Sequence, residues 1–458
     1  MSLYTQSCVN YTYNPGSGIA VVSRSNLAAG NITILQEFII DDEVYFVTSI
    51  DDRAFRHCFQ LRGVTIPNSV TSIGKFAFQS CNRLNTVTIS DSVTSIGESA
   101  FQACSSLNTL TIPNSVMEIG QFAFSDCIML AALEIPNSVT SIERGIIQGC
   151  QSLTSFKISR SVTSINTYQL FSGCISLITI DVDTFNQNYS SILGVLFNKS
   201  ATTLLVYPRG LIGSYTIPDS VTSIDLDAFA DCTNLTNVII PDSVTSIGSS
   251  AFKSCVQFTK VIIPNSVTSI GSSAFRNCSN LVKLIIGSSV TYIDNNAFNN
   301  CNKLTNVLFL GDIPTIESPS WSPNFDNSND TASYIIGALN TDILTNLFSI
   351  IRPLTRTQMD SALLDRPSLR DLIDAGATET YILSVGYTLQ ELKNAGFTGS
   401  RPTSIIELSH SLSFFQPPVI DLGNNIISDA PFSLQTIDKP IRIFTSMKNT
   451  LLFVTNNM

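Results

Sequence analysis

The sequence is poor in charged residues and in the residues that carry most enzyme chemistry. Charged side chains make up 13% of the 458 residues, and the only histidines are His57 and His410. That charged share is about half the usual one. No Walker A pattern, G-x-S-x-G elbow or H-E-x-x-H motif is present. His57 stands beside Cys58, but adjacent side chains point apart, so we do not expect a catalytic pair. The sequence therefore predicts a protein that is not an enzyme.

The sequence also lacks a basic stripe, a long apolar run and a signal-peptide pattern. The net charge is −10 at pH 7, so electrostatic binding to nucleic acid or to an acidic membrane is not expected. No stretch reaches the ~18–20 apolar residues that a membrane-spanning helix needs. The first residues show no basic segment followed by an apolar one, so no secretory signal peptide is predicted. A cytoplasmic or particle-associated location is favoured over classical secretion.

What the sequence does contain is one motif, S-V-T-S-I-G-x-x-A-F-x-x-C-x-x-L-x-x-V-x-I-P, in ten copies. The valines that open the copies are 23 residues apart from Val47 to Val162 and again from Val221 to Val290. A fixed period of this length indicates a solenoid. L-x-x-V-x-I and V-T-S-I read as short strands separated by an I-P-N-S turn. In A-F-x-x-C the Phe and Cys are three residues apart, which predicts a single helical turn.

This motif resembles the BspA-like leucine-rich repeats, whose hallmark is I-P-x-S-V-T-S-I-G-x-x-A-F-x-x-C-x-x-L. The resemblance covers about residues 32–312. Together with the period it predicts the fold class, a β-rich α/β solenoid of about ten 23-residue coils. Such repeats occur in surface, adhesion and interaction proteins of microbes and protists and in large DNA viruses. The resemblance implies no catalytic residue, because none belongs to the motif.

Composition and periodicity divide the chain into five regions. The 59-residue gap between Val162 and Val221 holds an insertion at about 185–220, read as a hairpin with strands at 192–197 and 204–207. It is either a decorated coil or a protruding contact element. The predicted regions are an N-terminal β cap (1–46), the solenoid (47–312), a connector (313–340), a helical module (341–398) and a β-rich C-terminal module (399–458).

Ten of the eleven cysteines occupy one slot of the repeat, and only Cys8 lies outside it. Stacked coils would bring neighbouring Cα atoms to about 5 Å, within disulfide range. In-register side chains point the same way, however, and free cysteine behaves as a small buried hydrophobe. We therefore expect a buried, reduced structural ladder. It consists of Cys58, Cys81, Cys104, Cys127, Cys150, Cys174, Cys232, Cys255, Cys278 and Cys301.

The sequence predicts no metal site and no cofactor. A 23-residue spacing of cysteines is not a ligand spacing, and histidine ligands are scarce. Asp225, Asp227 and Asp231 form a small acidic cluster, but the spacing and glycine of an EF-hand loop are missing.

One outward position of the repeat changes chemistry along the chain. The residue between the last two core positions of L-x-x-V-x-I is threonine or charged in the early copies, from Thr65 to Lys157. In the late copies it is aliphatic, and a stacked apolar row usually marks an interface. Either the C-terminal region folds back on this row or a partner chain covers it. The candidate interface consists of Ile239, Ile262, Ile285 and Leu308.

The favoured function is a non-enzymatic scaffold for protein–protein interaction, of the surface recognition or adhesion type. An extended surface with neutral ladders suits protein partners. The alternative is a structural or assembly component of a large particle such as a giant-virus virion, with self-assembly through the C-terminal half. The low charge, the missing signal peptide and the apolar C-terminus favour this alternative.

Overall fold

The structure is a computed structural model that describes residues 1–304, 306–309 and 314–317, and beyond them only 394, 419–420, 441–444 and 453–456. The chain forms a β-solenoid of about 13 turns. Ten turns are the ten copies of the motif. The other three come from a strand before the first copy, the insertion between the two series, and a short strand after the last copy. The predicted β-solenoid is thus confirmed, with more turns than expected.

The N-terminal strands close the first coils of the solenoid. β1, β2 and β3 form an antiparallel meander, and β3 then pairs in parallel with β6, the first strand of the repeat. β4 begins the second ladder by pairing in parallel with β7. These strands are β1 (Ser2–Gln6), β2 (Val9–Tyr13), β3 (Ile19–Ser23), β4 (Gly30–Thr33), β5 (Glu37–Ile40), β6 (Glu43–Ile50) and β7 (Leu61–Thr65).

Two parallel ladders run along the first series of copies. The dipeptide at S-I pairs with its counterpart in the next copy, as in Ser72↔Ser95 and Ile73↔Ile96, except between Ile119 and Ile142, where the pairing is interrupted. The L-x-x-V-x-I strands form the second ladder. The strands are β8 (Ser72–Ile73), β9 (Thr86–Thr88), β10 (Ser95–Ile96), β11 (Glu118–Ile119), β12 (Ala132–Glu134), β13 (Ser141–Ile142), β14 (Ser155–Ile158), β15 (Ser164–Ile165) and β16 (Thr179–Val182).

The insertion is itself a turn of the solenoid. It consists of β17 (Tyr189–Ile192), β18 (Val195–Asn198) and β19 (Thr203–Val206), joined as an antiparallel meander. β19 pairs in parallel with the next S-I strand, so the insertion supplies one strand of the S-I ladder. The predicted hairpin corresponds to β18 and β19. The strand expected through 192–197 is interrupted, because Leu193 and Gly194 form a tight turn with φ of 52° and 79°.

The second series repeats both ladders after the insertion. Its strands keep the same register, as in Ile262↔Ile285. They are β20 (Gly213–Thr216), β21 (Ser223–Ile224), β22 (Leu235–Ile239), β23 (Ser246–Ile247), β24 (Lys260–Ile263), β25 (Ser269–Ile270), β26 (Lys283–Ile286), β27 (Tyr292–Ile293), β28 (Asn306–Phe309) and β29 (Thr315–Ile316).

The predicted helical turn at A-F-x-x-C is wrong. Backbone N–H groups of this segment alternate between two partners, as where Cys81 N donates to Phe78 O (3.1 Å) and Ser80 N donates to Gln102 O of the next coil (2.8 Å). Ser80 has a positive φ of 60°, as the third residue of a type II turn does. The segment is therefore a run of tight turns tied to the neighbouring coil. No helix occurs among the elements of the first 317 residues that are described, so the α part of the predicted fold class is not found there.

The repeated apolar positions point inward and form the core. Ala, Phe, Cys and Leu of each copy are buried almost completely. The phenylalanine rings of successive coils stack, with centroids 4.9 Å apart for Phe55 and Phe78 and 5.0 Å for Phe78 and Phe101. Two core clusters meet at the insertion, one ending at Val206 and one beginning at Val195. One coil could not bury its own apolar face, so stacking stabilises the whole array.

Three further strands are described near the C-terminus. β30 (Val419–Ile420), β31 (Ile441–Phe444) and β32 (Phe453–Asn456) form a small antiparallel sheet. They fall within the region predicted as a β-rich C-terminal module (399–458), although the division of the chain into five regions stays a prediction. The helical module predicted at 341–398 lies outside the described residues, apart from the single residue Asn394.

Candidate functional site

The variable outward positions form one continuous line along the solenoid, which we call the outward row. Within each of four short parallel sheets, paired strands hold its members directly opposite each other, and the 23-residue period continues the line between the sheets. The register gives Thr33↔Thr65↔Thr88, Glu134↔Lys157↔Asp181, Thr216↔Ile239 and Ile262↔Ile285↔Leu308.

The first half of the outward row is polar and open to solvent. Thr65, Thr88 and Thr111 are exposed. Further along, Lys157 Nζ lies 2.7 Å from Glu134 Oε1, and both side chains are more than half exposed. The hydrogen bond that Lys157 donates to Glu134 raises the pKa of Lys157 above its ordinary value. Exposed ion pairs contribute little to stability, so this part of the row is a surface rather than a structural element.

The last four members of the outward row are aliphatic, and the row becomes buried from Ile239 to Ile285. Ile239 is 48% exposed, Ile262 is half-buried and Ile285 is 0% exposed. Leu284 and Ile286 belong to the solenoid core, but Ile285 alternates with them and faces the other way. Leu308 lies opposite Ile285 in the ladder, and its side chain is outside the described residues. The four candidate interface residues are therefore aligned but not equally exposed.

The ten repeat cysteines line up in a buried row and none forms a disulfide. Each thiol approaches a backbone carbonyl of the preceding coil. Cys81 Sγ donates to Phe55 O at 3.1 Å and Cys127 Sγ donates to Phe101 O at 3.3 Å. Burial raises the pKa of Cys58 to about 11 and that of Cys127 to about 12. These thiols are poor nucleophiles at neutral pH, because the thiolate is the reactive form.

The structure does not bring catalytic or metal-binding groups together in the described part of the chain. His57 is exposed and its ring lies 5.7 Å from that of Phe59, whereas the Cys58 thiol is buried against Ser25 O. Asp231 lies 3.8 Å from the buried Arg209. Within residues 1–304 and the short described segments after them, no group of three His, Cys, Asp or Glu side chains could hold a metal ion. Nor is any helix of that part long and apolar enough to cross a membrane.

A second line of side chains was missed by the sequence reasoning. The residue before the alanine of A-F-x-x-C has a positive φ, and in two coils it is an aromatic residue, Phe76 or Phe122. Tyr168 lies two coils beyond Phe122, next to the same slot. We call Phe76, Phe122 and Tyr168 the aromatic row. Aligning the copies on this alanine would have revealed it, because most other coils have a small or polar residue at the slot.

Arginines accompany the aromatic row. The guanidinium carbon of Arg53 lies 5.3 Å from the ring centroid of Phe76. That of Arg144 lies 5.5 Å from the ring of Phe122 and 4.6 Å from the ring of Tyr168, so this guanidinium contacts two aromatic residues. Cation–π contacts of this kind stabilise exposed rings by about 0.5–1 kcal/mol.

Comparison with known proteins agrees with this geometry. The family described as BspA type leucine rich repeat region matches residues 48–178 and 206–329. A leucine rich cell surface protein from Faecalibacterium prausnitzii A2-165 is similar in structure, with 30% identity, a TM-score of 0.57 and a match over 77% of this chain and 99% of that chain. The pneumococcal vaccine antigen PcpA shares the fold at 21% identity and a TM-score of 0.61, over 76% and 96% of the two chains. No curated protein matches the chain.

Proposed function

The chain belongs to the family of BspA-type leucine-rich repeat proteins, and from this premise we propose that it is a non-enzymatic scaffold for protein–protein interaction of the surface-recognition type. The outward row carries the proposal. Its threonines and charged residues are exposed and are held in register within two three-stranded sheets, while the inward positions stay apolar. Likeness to a protein described as a cell surface protein supports the surface-recognition type.

A neutral threonine ladder is chemically suited to a protein partner. Each exposed threonine offers a hydroxyl donor and acceptor at a spacing of about 4.8 Å, the spacing of paired strands. An extended partner segment could therefore contact several coils at once. Because the charged part of the row contains both signs, Glu134, Lys157 and Asp181, the partner need not be strongly charged.

The test compares two baits in affinity purification from the native source, followed by mass spectrometry. One bait is the full chain and the other carries Thr65→Asp, Thr88→Asp and Thr111→Asp. Three like charges in register would repel a neutral or acidic surface. We expect at least one protein to be captured by the unchanged chain and to be lost from the variant. Identical captured sets would rule out this face.

We further propose that Ile239, Ile262, Ile285 and Leu308 form an interface at the C-terminal half of the solenoid. The fall in exposure from Ile239 to Ile285 supports it. The interface binds either the chain's own C-terminal region or a partner chain in an assembly such as a virus particle. Analytical ultracentrifugation of the full chain and of Ile239→Asp separates them. Concentration-dependent self-association lost in the variant favours assembly, and a monomer in both cases favours the chain's own C-terminal region.

A further inference from the structure

Two members of the aromatic row occupy backbone positions that do not favour aromatic residues. Phe76 and Phe122 have φ of 57° and 56°, in the left-handed region where a bulky side chain is an outlier. At the same slot the other coils have Ser99, Ser250 and Ser273, among other small or polar residues. Strained residues of this kind cluster at functional sites. The two phenylalanines are therefore candidates for a function rather than for folding.

The rings are not part of the solenoid core. Phe76 and Phe122 are half-buried and Tyr168 is 42% exposed. The backbone of the next coil supports one of them, because a Cβ at Gly145 would collide with Cε1 of Phe122. Arg144 Nε donates to Gln169 Oε1 at 3.1 Å, which fixes the guanidinium that contacts Phe122 and Tyr168. The rings are thus held in place and keep an exposed part.

The three rings recur at every second coil. Phe76 and Phe122 are 46 residues apart, and so are Phe122 and Tyr168. The spacing between adjacent coils at this corner is given by the stacked core rings, which are 4.9 to 5.8 Å apart in the first four copies. Phe76 and Phe122, which occupy the same slot two coils apart, are therefore about 10 Å apart along the solenoid, and Tyr168, next to that slot, continues the row two coils further on.

We propose that the aromatic row binds a linear polysaccharide in which successive sugars are flipped, as in cellulose and β-1,4-mannan. In such a chain every second sugar presents the same face, so a row of rings separated by about the length of a disaccharide can stack on alternate sugars. The C–H face of a sugar is apolar and packs on an aromatic ring, while its hydroxyls need polar partners. Gln121 lies in the same turn as Phe122 and is exposed.

The charges beside the row favour a neutral polysaccharide. Arg53 and Arg144 contact the rings, and Lys75 Nζ lies 3.5 Å from Glu98 Oε2. Cations and a carboxylate thus occur together on this corner, so it carries no uniform charge that would select an acidic chain. The glutamine and arginine donors suit hydroxyl groups, which accept hydrogen bonds without carrying charge.

The test uses isothermal titration calorimetry of the full chain with cellohexaose and β-1,4-mannohexaose, whose sugars alternate, and with maltohexaose, whose chain coils. We expect binding of at least one of the first two and at least tenfold weaker binding of maltohexaose. The variant carrying Phe76→Ser and Phe122→Ser should lose at least tenfold in affinity. Serine occupies this slot in three other coils, so the variant should fold with an unchanged or higher Tm.

Phe185→Ser is the matched control. Phe185 is 68% exposed and also contacts an arginine, with the Arg160 guanidinium carbon 5.4 Å from its ring. It lies outside the aromatic row, so its loss should leave binding unchanged. The proposal is overturned if neither alternating oligosaccharide binds, if maltohexaose binds equally well, or if the double variant binds as the unchanged chain does. Binding of a protein partner that depends on the two phenylalanines, without oligosaccharide binding, would also overturn it.

Discussion

The thiol of Cys104 donates a hydrogen bond to the carbonyl oxygen of Phe78 in the preceding coil, with Sγ and O 3.2 Å apart. The same bond joins Cys255 to Phe229 and Cys278 to Phe252, each at 3.2 Å. Each of these carbonyls also accepts a backbone hydrogen bond within its own turn, as Phe78 O does from Cys81 N at 3.1 Å, so the thiol of the next coil satisfies the second lone pair of the buried oxygen. Cysteine fits the slot because it is small, apolar and able to donate a weak hydrogen bond.

We predict that only one thiol reacts in the native protein. Cys8 is exposed and the other ten cysteines are buried, and burial raises the pKa of Cys174 and of Cys232 to about 12. Labelling with a chromogenic disulfide reagent under reducing-agent-free conditions should give one equivalent in buffer and eleven in denaturant. Cys8→Ser should give none in buffer. Rapid native labelling of several thiols would contradict the buried row.

A second prediction concerns the stacked rings of the core. Phe78 is fully buried, and its ring lies 4.9 Å from Phe55 and 5.0 Å from Phe101. Phe78→Ala should reduce the free energy of unfolding by about 3–5 kcal/mol, because the cavity cannot collapse between two fixed coils. Phe59→Ala is the control, since Phe59 is 52% exposed and its loss should change stability by less than about 0.5 kcal/mol. Urea denaturation followed by circular dichroism measures both, and equal losses would contradict the prediction.

Much of this core could be predicted from the period alone. A spacing of 23 residues puts Phe78 and Cys81 on the same line as Phe101 and Cys104, and stacking must then bury them. The turn conformation was misread, because Phe and Cys three residues apart also fit a helical turn. The residue before each repeat cysteine, such as Ser80, is a better indicator of the turn. It is Ser, Asn, Asp or Gly in most coils, and all but serine favour a positive φ.

The outward row could be predicted only in part. The register of the repeat aligns Ile262 with Ile285, as the ladder shows. The sequence could not reveal that Ile239 is half exposed and Ile285 buried. That difference depends on what packs against each coil from outside, and the repeat carries no information about it. The aromatic row was missed for a similar reason, since Phe76 departs from the motif at a position where the motif itself allows any residue.

We predict that a charge destabilises the fold strongly at Ile285 and hardly at all at Ile239, two positions in the aliphatic part of the outward row. Ile285→Asp should reduce the free energy of unfolding by several kcal/mol, because it leaves an unpaired charge where Ile285 is 0% exposed. Ile239→Asp should change it by less than about 0.5 kcal/mol, because Ile239 is 48% exposed. Thermal unfolding followed by differential scanning calorimetry provides the measurement.

Thr88→Asp is the matched control for Ile285→Asp and Ile239→Asp, because Thr88 occupies the same position of the repeat and its side chain is exposed. It should behave as Ile239→Asp does. If Ile285→Asp were as stable as Thr88→Asp, the outward face of β26 would be open and the proposed interface would not exist there.

A fourth prediction concerns pH. Burial raises the pKa of Asp225, although its carboxylate accepts a backbone hydrogen bond from Leu226. Its folded pKa is above its unfolded pKa, so its ionisation at pH 7 opposes folding, and this penalty disappears as the pH falls below the unfolded value of about 3.9. Asp225→Asn should therefore raise Tm at pH 7 by about 1–2 °C, a small change because the side chain is half-buried.

The difference in Tm between Asp225→Asn and the unchanged chain should shrink as the pH approaches about 3. Asp219 lies in the exposed turn before β21, the strand that ends next to Asp225. Asp219→Asn should leave Tm unchanged at both pH values. If the higher Tm of Asp225→Asn persisted at low pH, the amide would stabilise the fold for a reason other than the removed charge.

The last prediction tests whether the insertion is more than a decorated coil. Leu193 is 87% exposed and has a φ of 52° in the two-residue turn between Ile192 and Val195. Asn-Gly is the preferred sequence for a turn with two positive φ angles, so Leu193→Asn should stabilise the chain by about 1 kcal/mol, the cost of a leucine in this conformation. Affinity purification with Leu193→Asn and the unchanged chain as the two baits, followed by mass spectrometry, measures the effect on partner binding. A variant that is more stable but captures less protein shows that Leu193 is kept for contact, and one that is no more stable contradicts the proposed strain.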